Sequence, residues 1–337
     1  MIHFGFYQSL GQYAYRDLIR DTWKDQVAHG MTTATINSND DVFGGKAGGV
    51  GPARYIDGMM DAGLVSVDCP LVFSESAHAI RTAEGRATRP WPELLRAGRD
   101  EPTPATIDEV VGARYDADEL GLRVASAVAA YNLTATAHHD QLGKVVIGDL
   151  IDVWQISAST WDVEIVKKGR GQGKEIWAYW CMPQTDADAA RIRYLAGLWA
   201  WKMKPRCLLL WAYVHHTDTR VLPNGTLCRE PSDDFSYVIP TVDGPRETPG
   251  YAAYAEGIKD CRALEALDAA GTDGDWLCAL RASIPDRVAA FPAPVPRTDF
   301  DAIRARALRL GASQQVEPVI DDRDLDLPAR GAFGRMP

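Results

Sequence analysis

The chain has 337 residues, 46% of them hydrophobic, and carries a formal net charge of −10. That length and apolar content suffice for one large core, and the acidic balance argues against nucleic acid or an anionic membrane surface as partner, since both are held by clustered Lys and Arg. No apolar run approaches the roughly 18 to 20 residues of a membrane helix, and the N-terminus enters His3-Phe4-Gly5-Phe6-Tyr7 without a charged-then-apolar leader. The expectation is a soluble protein, cytoplasmic as written and secreted if a leader was trimmed. Six cysteines (Cys69, Cys181, Cys207, Cys228, Cys261 and Cys278) lack the paired spacing of a zinc site and read as buried free thiols.

Short apolar or β-branched runs alternate with stretches of helical spacing, the pattern of a parallel sheet wrapped by helices. The first run is His3 to Tyr7, followed by a helix from about Tyr15 to His29 in which Leu18, Ile19, Trp23 and Val27 recur at spacings of three and four, closed by Gly30. Thr32 to Ile36 is the second run and Pro70 to Phe73 the third. Pro92 to Leu95 is the fourth, followed by Asp100-Glu101-Pro102, a polar stretch and a helix from about Asp118 to Tyr131. Leu133 to Ala137 is read as the fifth, Val153 to Ile156 as the sixth and Glu175 to Cys181 as the seventh. The strongest helical pattern, Ala187 to Met203, precedes the eighth run, Cys207 to Tyr213. An extended piece at Phe235 to Ile239, a helix from about Tyr251 to Leu267 and a tail helix at Asp299 to Leu310 complete the chain. Eight strand-like runs predict a single (β/α)₈ barrel over residues 1–288 with an irregular C-terminal extension over 289–337.

Functional residues of such a barrel sit where strands end and βα loops begin. Three Asp-Glu pairs occur: Asp100-Glu101, Asp108-Glu109 and Asp118-Glu119. Asp118-Glu119 is read as opening a helix, where acids favour the positive end of the dipole, and Asp108-Glu109 as part of the polar stretch before it. Only Asp100-Glu101 stands just beyond a barrel strand. Neighbours on a regular strand point to opposite faces. The restriction that Pro102 places on the residue before it predicts a turn that tips Glu101 into the mouth.

With Tyr15 to Thr35, Pro92 to Thr103, Ile151 to Ile156, Tyr179 to Met203 and Thr241 to Leu267 in this order, the sequence resembles glycoside hydrolase family 123 and its barrel relatives, in which Asp-Glu-Pro follows the fourth strand. The resemblance implies removal of β-linked N-acetylgalactosamine with retention, the substrate's own 2-acetamido oxygen acting as nucleophile. By motif, it makes Glu101 the acid/base and Asp100 the group that orients the acetamido N–H. It implies a carbohydrate partner and no cofactor.

Sugar rings present apolar faces, so aromatic platforms are expected beside the pair. Trp154, Tyr179, Trp180, Trp211 and Tyr213 are candidates, alternation allowing only some of them to face the mouth. His138 and His139, ending the run read as the fifth strand, are candidates to bond a sugar hydroxyl or the carboxylates, and Asp243 and Arg246 are candidates to grip substrate hydroxyls. His138, His139, His215 and His216 with Asp140 raise a metal site, but strand neighbours diverge and no His-x-x-x-His spacing occurs, so no metal is expected. Gly169-Arg170-Gly171-Gln172-Gly173 is read as a flexible βα loop, since no Gly-Lys-Ser/Thr follows. Two alternatives stay open: a glycosidase of the same barrel acting on another sugar, and a catalytically silent glycan-binding barrel.

Overall fold

A computed structural model of the chain describes residues 1–9, 16–37, 51–74, 77–181, 189–213, 220–221, 227–228, 236–241, 244–271, 274–288 and 297–312. Its early elements are β1 (His3–Ser9), α1 (Arg16–Ala28), β2 (Thr33–Asn37), α2 (Gly51–Asp61), β3 (Leu71–Phe73), α3 (Ala77–Glu84) and β4 (Leu94–Ala97). There follow α4 (Ile107–Glu119), β5 (Val124–Val128), the short α5 (Ala130–Leu133) and a hairpin of β6 (Thr136–His139) and β7 (Gly143–Val146). Next come β8 (Val153–Ser157), α6 (Val163–Gly171), β9 (Glu175–Cys181), α7 (Ala189–Tyr194), α8 (Ala200–Met203) and β10 (Cys207–Trp211). Eight of these strands close into a barrel in the order β1-β10-β9-β8-β5-β4-β3-β2. All eight neighbouring pairs run parallel, so the fold is the expected (β/α)₈ barrel.

Side-chain alternation splits the core in two. Inside the barrel pack Tyr7, Val72, Leu95, Ala125, Ala127, Val153, Trp177, Tyr179 and Leu209. Their strand neighbours, among them Phe4, Phe6, Val124, Val128, Trp154, Ile156, Trp180, Leu208 and Leu210, face the surrounding helices. Small residues on β4 and β5 offset the bulk contributed by β1 and β9, which lets one interior hold Tyr7, Trp177 and Tyr179 together.

One strand differs from the sequence reading. The fifth barrel strand is Val124–Val128, which had the spacing of a helix, whereas Leu133–Ala137 belongs to α5 and to the hairpin outside the barrel. Leu122-Arg123-Val124-Ala125-Ser126-Ala127-Val128-Ala129-Ala130 is rich in alanine, a strong helix former, and burial on both faces overrides that propensity. The helix here is α4, upstream, so the acid pairs exchange places. Asp108 and Glu109 occupy the first turn of α4, while Asp118 and Glu119 end it, Asp118 pairing with Arg114 one turn back. The glycine run is no loop at its start, since Gly169 and Gly171 lie in the last turn of α6.

The segment read as one helix from Ala187 is described from Ala189 and runs unbroken to Met203, with a π-helical turn at Leu195–Trp199 between α7 and α8. It packs on α9 (Pro249–Ala270), where a Cβ on Gly257 would lie 2.6 Å from the Arg193 carbonyl oxygen; only glycine permits this approach. The chain continues through α10 (Gly274–Ser283) to α11 (Arg297–Ala312), which docks on α9 and α7. There Asp260 is 1% exposed and accepts from Arg193 Nε at 2.7 Å and Arg304 Nε at 2.5 Å, tying α7, α9 and α11 together. Among the described residues no helix is long and apolar enough to cross a membrane.

Candidate active site

At the C-terminal end of the barrel, β4 stops at Ala97 and the chain turns through Gly98, Arg99 and Asp100. Glu101 has φ +46°, and its N–H donates to the Ala127 carbonyl at 2.9 Å, so the turn is anchored to the end of β5. A non-glycine residue in this conformation is uncommon and needs support from its surroundings. Here the support is that backbone bond together with the Tyr179 hydroxyl, which donates to Glu101 Oε1 at 3.1 Å. The adjacent carboxylates thus meet at one rim because the strand geometry is broken between them.

Aromatic and polar side chains from β1, β8, β9 and β10 form the cup beneath. Tyr7 packs edge-on against Tyr179 with ring centroids 6.2 Å apart and lies 5.6 Å from Trp211. The Tyr7 hydroxyl donates to Gln155 Oε1 at 2.5 Å. Cys181, two residues beyond Tyr179, completes the rim beside the carboxylates; at the strand end it is exposed, as is Cys278 on α10, so these two are not the buried thiols expected from sequence. The peptide between Trp211 and Ala212, at the end of β10, is cis.

Charge and burial act together in this cup. Partial burial, followed by the neighbouring Glu101 carboxylate, pushes the Asp100 carboxyl above the ordinary aspartate range, and Arg99 opposes the shift. Burial also pushes the Cys181 thiol up to about 11, with Glu101 and Asp100 adding to it. The phenols of Tyr7 and Tyr179 are driven up by burial, Tyr179 further by Glu101, so both remain protonated donors. The cup therefore offers two carboxylates, two phenolic hydroxyls, a buried amide and apolar ring surface.

Of the residues expected from sequence, Asp100, Glu101, Tyr179 and Trp211 come together here. Trp154 and Trp180 do not, because each occupies the outward phase of its strand. The Trp154 indole is 2% exposed, donates to the carbonyls of Gly148 and Ile151, both at 3.1 Å, and rests on Gly169 of α6. Tyr213 lies past the end of β10 in an outer aromatic cluster with Phe6 and Tyr251, its hydroxyl donating to Asp25 at 2.6 Å. His138 and His139 belong to the β6–β7 hairpin instead of a barrel strand; His138 is exposed and His139 lies 3.7 Å from Asp108 on α4. Arg246 is exposed on the strand Gly244–Glu247, which pairs with Val238–Thr241 in a hairpin that packs against α1. Asp243, His215 and His216 lie outside the described residues.

Tyr7 and Gln155 were not singled out from sequence, although a signal existed. A lone amide in the apolar strand Val153-Trp154-Gln155-Ile156 is a polar group that must be bonded or used. Among the described residues no group of three or more His, Cys, Asp or Glu side chains is placed to hold a metal ion.

No family model and no curated protein matches the sequence. Among solved structures, the chain is similar to the spore coat polysaccharide biosynthesis protein SpsE of Bacillus subtilis, with 12% identity and a TM-score of 0.33 over 80% of this chain and 70% of that one. It is also similar to the N-terminal domain of a candidate aldolase from Bacteroides vulgatus, with 10% identity and a TM-score of 0.38 over 93% of this chain and all of that one.

Proposed function

We propose that the chain is a retaining glycoside hydrolase that cleaves a terminal β-linked N-acetylhexosamine, N-acetylgalactosamine being favoured by the family resemblance. The observation that carries this reading is the meeting of Asp100 and Glu101 at one aromatic-lined barrel mouth, through a turn at Glu101 that is bonded to β5 and to Tyr179. Glycoside hydrolysis needs a proton donor for the leaving oxygen and a group that manages charge growing at the anomeric carbon, and a carboxylate pair supplies both.

In this mechanism the protonated Glu101 gives its proton to the glycosidic oxygen as the C–O bond breaks. The substrate's acetamido carbonyl oxygen attacks the anomeric carbon and forms an oxazolinium, while Asp100 accepts a hydrogen bond from the acetamido N–H. The Glu101 carboxylate then takes a proton from water, the water oxygen attacks the anomeric carbon, the oxazolinium opens, and the sugar leaves with its configuration retained. Tyr179 fixes the Glu101 carboxyl between the two steps, and the apolar faces of Trp211 and Tyr7 suit the C–H face of a pyranose.

A panel of nitrophenyl glycosides, assayed with and without a thiazoline mimic of the oxazoline, tests this reading. Hydrolysis of the N-acetylhexosaminide that the thiazoline blocks is the expected result. Hydrolysis that ignores the mimic would replace the mechanism by direct carboxylate attack, and binding without turnover would leave a glycan-binding barrel.

A further inference from the structure

Gln155 sits at the centre of β8, inward-facing and 1% exposed. Its amide is only half used: Oε1 takes the Tyr7 hydroxyl at 2.5 Å, while Nε2, with two N–H groups, has no partner. A buried polar group without a hydrogen bond costs free energy that a partner recovers, and such groups in native proteins call for a functional explanation.

The position of this amide supplies one. It lies on the inner face of the barrel, and Tyr7, which holds its oxygen, packs against Tyr179 and Trp211 directly beneath the carboxylate rim. The Tyr7 phenol also feels the charge of Asp100, in keeping with the pair standing close under the rim. Beside it in the sheet, β5 places Ala127 in register with Gln155 and β4, the next strand, ends on Ala97, so little side-chain bulk flanks the amide on that side of the interior.

We propose that Gln155 is a substrate-binding residue whose Nε2 donates to an uncharged acceptor oxygen, a hydroxyl or an amide carbonyl, on the part of the sugar that reaches deepest into the cup. Tyr7 is its positioning residue: by donating to Oε1 it turns the N–H groups toward the cup. An anionic acceptor is disfavoured, because Asp100 and Glu101 stand over the same space and would repel it. This proposal rests on reading the cup as a sugar site and adds to that reading the group that discriminates among sugars. A site built to bond one oxygen rejects the analogue lacking it far more strongly than an apolar wall can.

The test is calorimetric binding of the galactosamine-derived thiazoline and of N-acetylgalactosamine to the full chain, for wild type, Gln155→Leu, Gln155→Glu and Tyr7→Phe, with thermal unfolding of each. Gln155→Glu keeps the acceptor for Tyr7 and the side-chain shape, so it serves if Gln155→Leu fails to fold. The expected result is a tenfold or greater loss of affinity for both Gln155 variants, a smaller loss for Tyr7→Phe, and equal affinity of wild type and Gln155→Leu for a deoxy sugar lacking the oxygen that Nε2 bonds. Unchanged affinity in the Gln155 variants would overturn the assignment and leave the sugar site standing. Failure of wild type to bind either probe would overturn both.

Discussion

Replacing Gly169 with alanine sets two effects of opposite sign against each other. In an exposed helix interior the change gains about 1 kcal/mol in helix propensity. At Gly169, however, the new Cβ would lie 2.4 Å from Cζ3, 2.7 Å from Cε3 and 3.0 Å from Cη2 of Trp154. That ring has nowhere to go, being 2% exposed and anchored through its N–H to Gly148 and Ile151. Overpacking of this kind costs roughly 1–3 kcal/mol, and loosening the indole bonds adds about 1 kcal/mol. The clash therefore wins, by about 1–3 kcal/mol net destabilisation. Gly112, mid-helix in α4 and exposed with nothing near its would-be Cβ, is the control, where alanine should stabilise by about 0.5–1 kcal/mol. Urea unfolding followed by circular dichroism measures both. If Gly169→Ala proves as stable as Gly112→Ala, the Trp154 ring does not stand against α6 and its placement outside the cup is wrong.

The Asp260→Asn variant should lose about 3 kcal/mol of stability, since it leaves Arg193 and Arg304 without their shared buried carboxylate; a loss below about 0.5 kcal/mol in denaturant titration would deny that this ion cluster holds α11 to the barrel. For Asp100→Asn the sign follows from linkage. A carboxyl pushed up on folding binds its proton more tightly in the folded chain, so wild-type stability relative to the variant falls as pH rises through that range. The variant should be the more stable at pH 7, by about 0.5 kcal/mol given the solvent access of the rim, with the difference vanishing below about pH 4 in paired thermal melts; a gain that grew on acidification would contradict the shift. Among the cysteines with described side chains, Cys181 and Cys278 should react with a thiol reagent in the native protein and Cys69, Cys207 and Cys261 only on unfolding, with Cys181 accelerating as pH climbs toward 11; labelling followed by peptide mass mapping reads this out.

The barrel was legible because seven of its strands are apolar runs that end in polar residues, and that period survives in sequence. The fifth was hidden by Ala125 and Ala127, whose small size suits a crowded barrel interior and equally suits a helix. The turn at Asp100-Glu101 was legible through Pro102, but the positive φ at Glu101 and its bond to Ala127 depend on a strand that had been placed elsewhere. Phase along each strand decided the aromatic candidates. Tyr179 and Trp180 are equally aromatic and adjacent, and only the register of β9 with β8 and β10 turns one inward. Gln155 was visible as a polar letter in an apolar strand, yet its use depends on Tyr7, which is 148 positions away in the chain and beside it in space.

In the proposed sugar-cleaving site, Glu101 is the residue that carries the proton. The direct test of this role is the turnover of nitrophenyl β-N-acetylgalactosaminide by wild type and by Glu101→Gln at matched protein concentration, with circular dichroism confirming that both are folded. Measurable wild-type hydrolysis is expected, with a fall of roughly 10²-fold or more in the variant, steeper for substrates with poorer leaving groups, since those depend most on protonation. An active wild type whose Glu101→Gln variant turns over at the same rate would contradict this role.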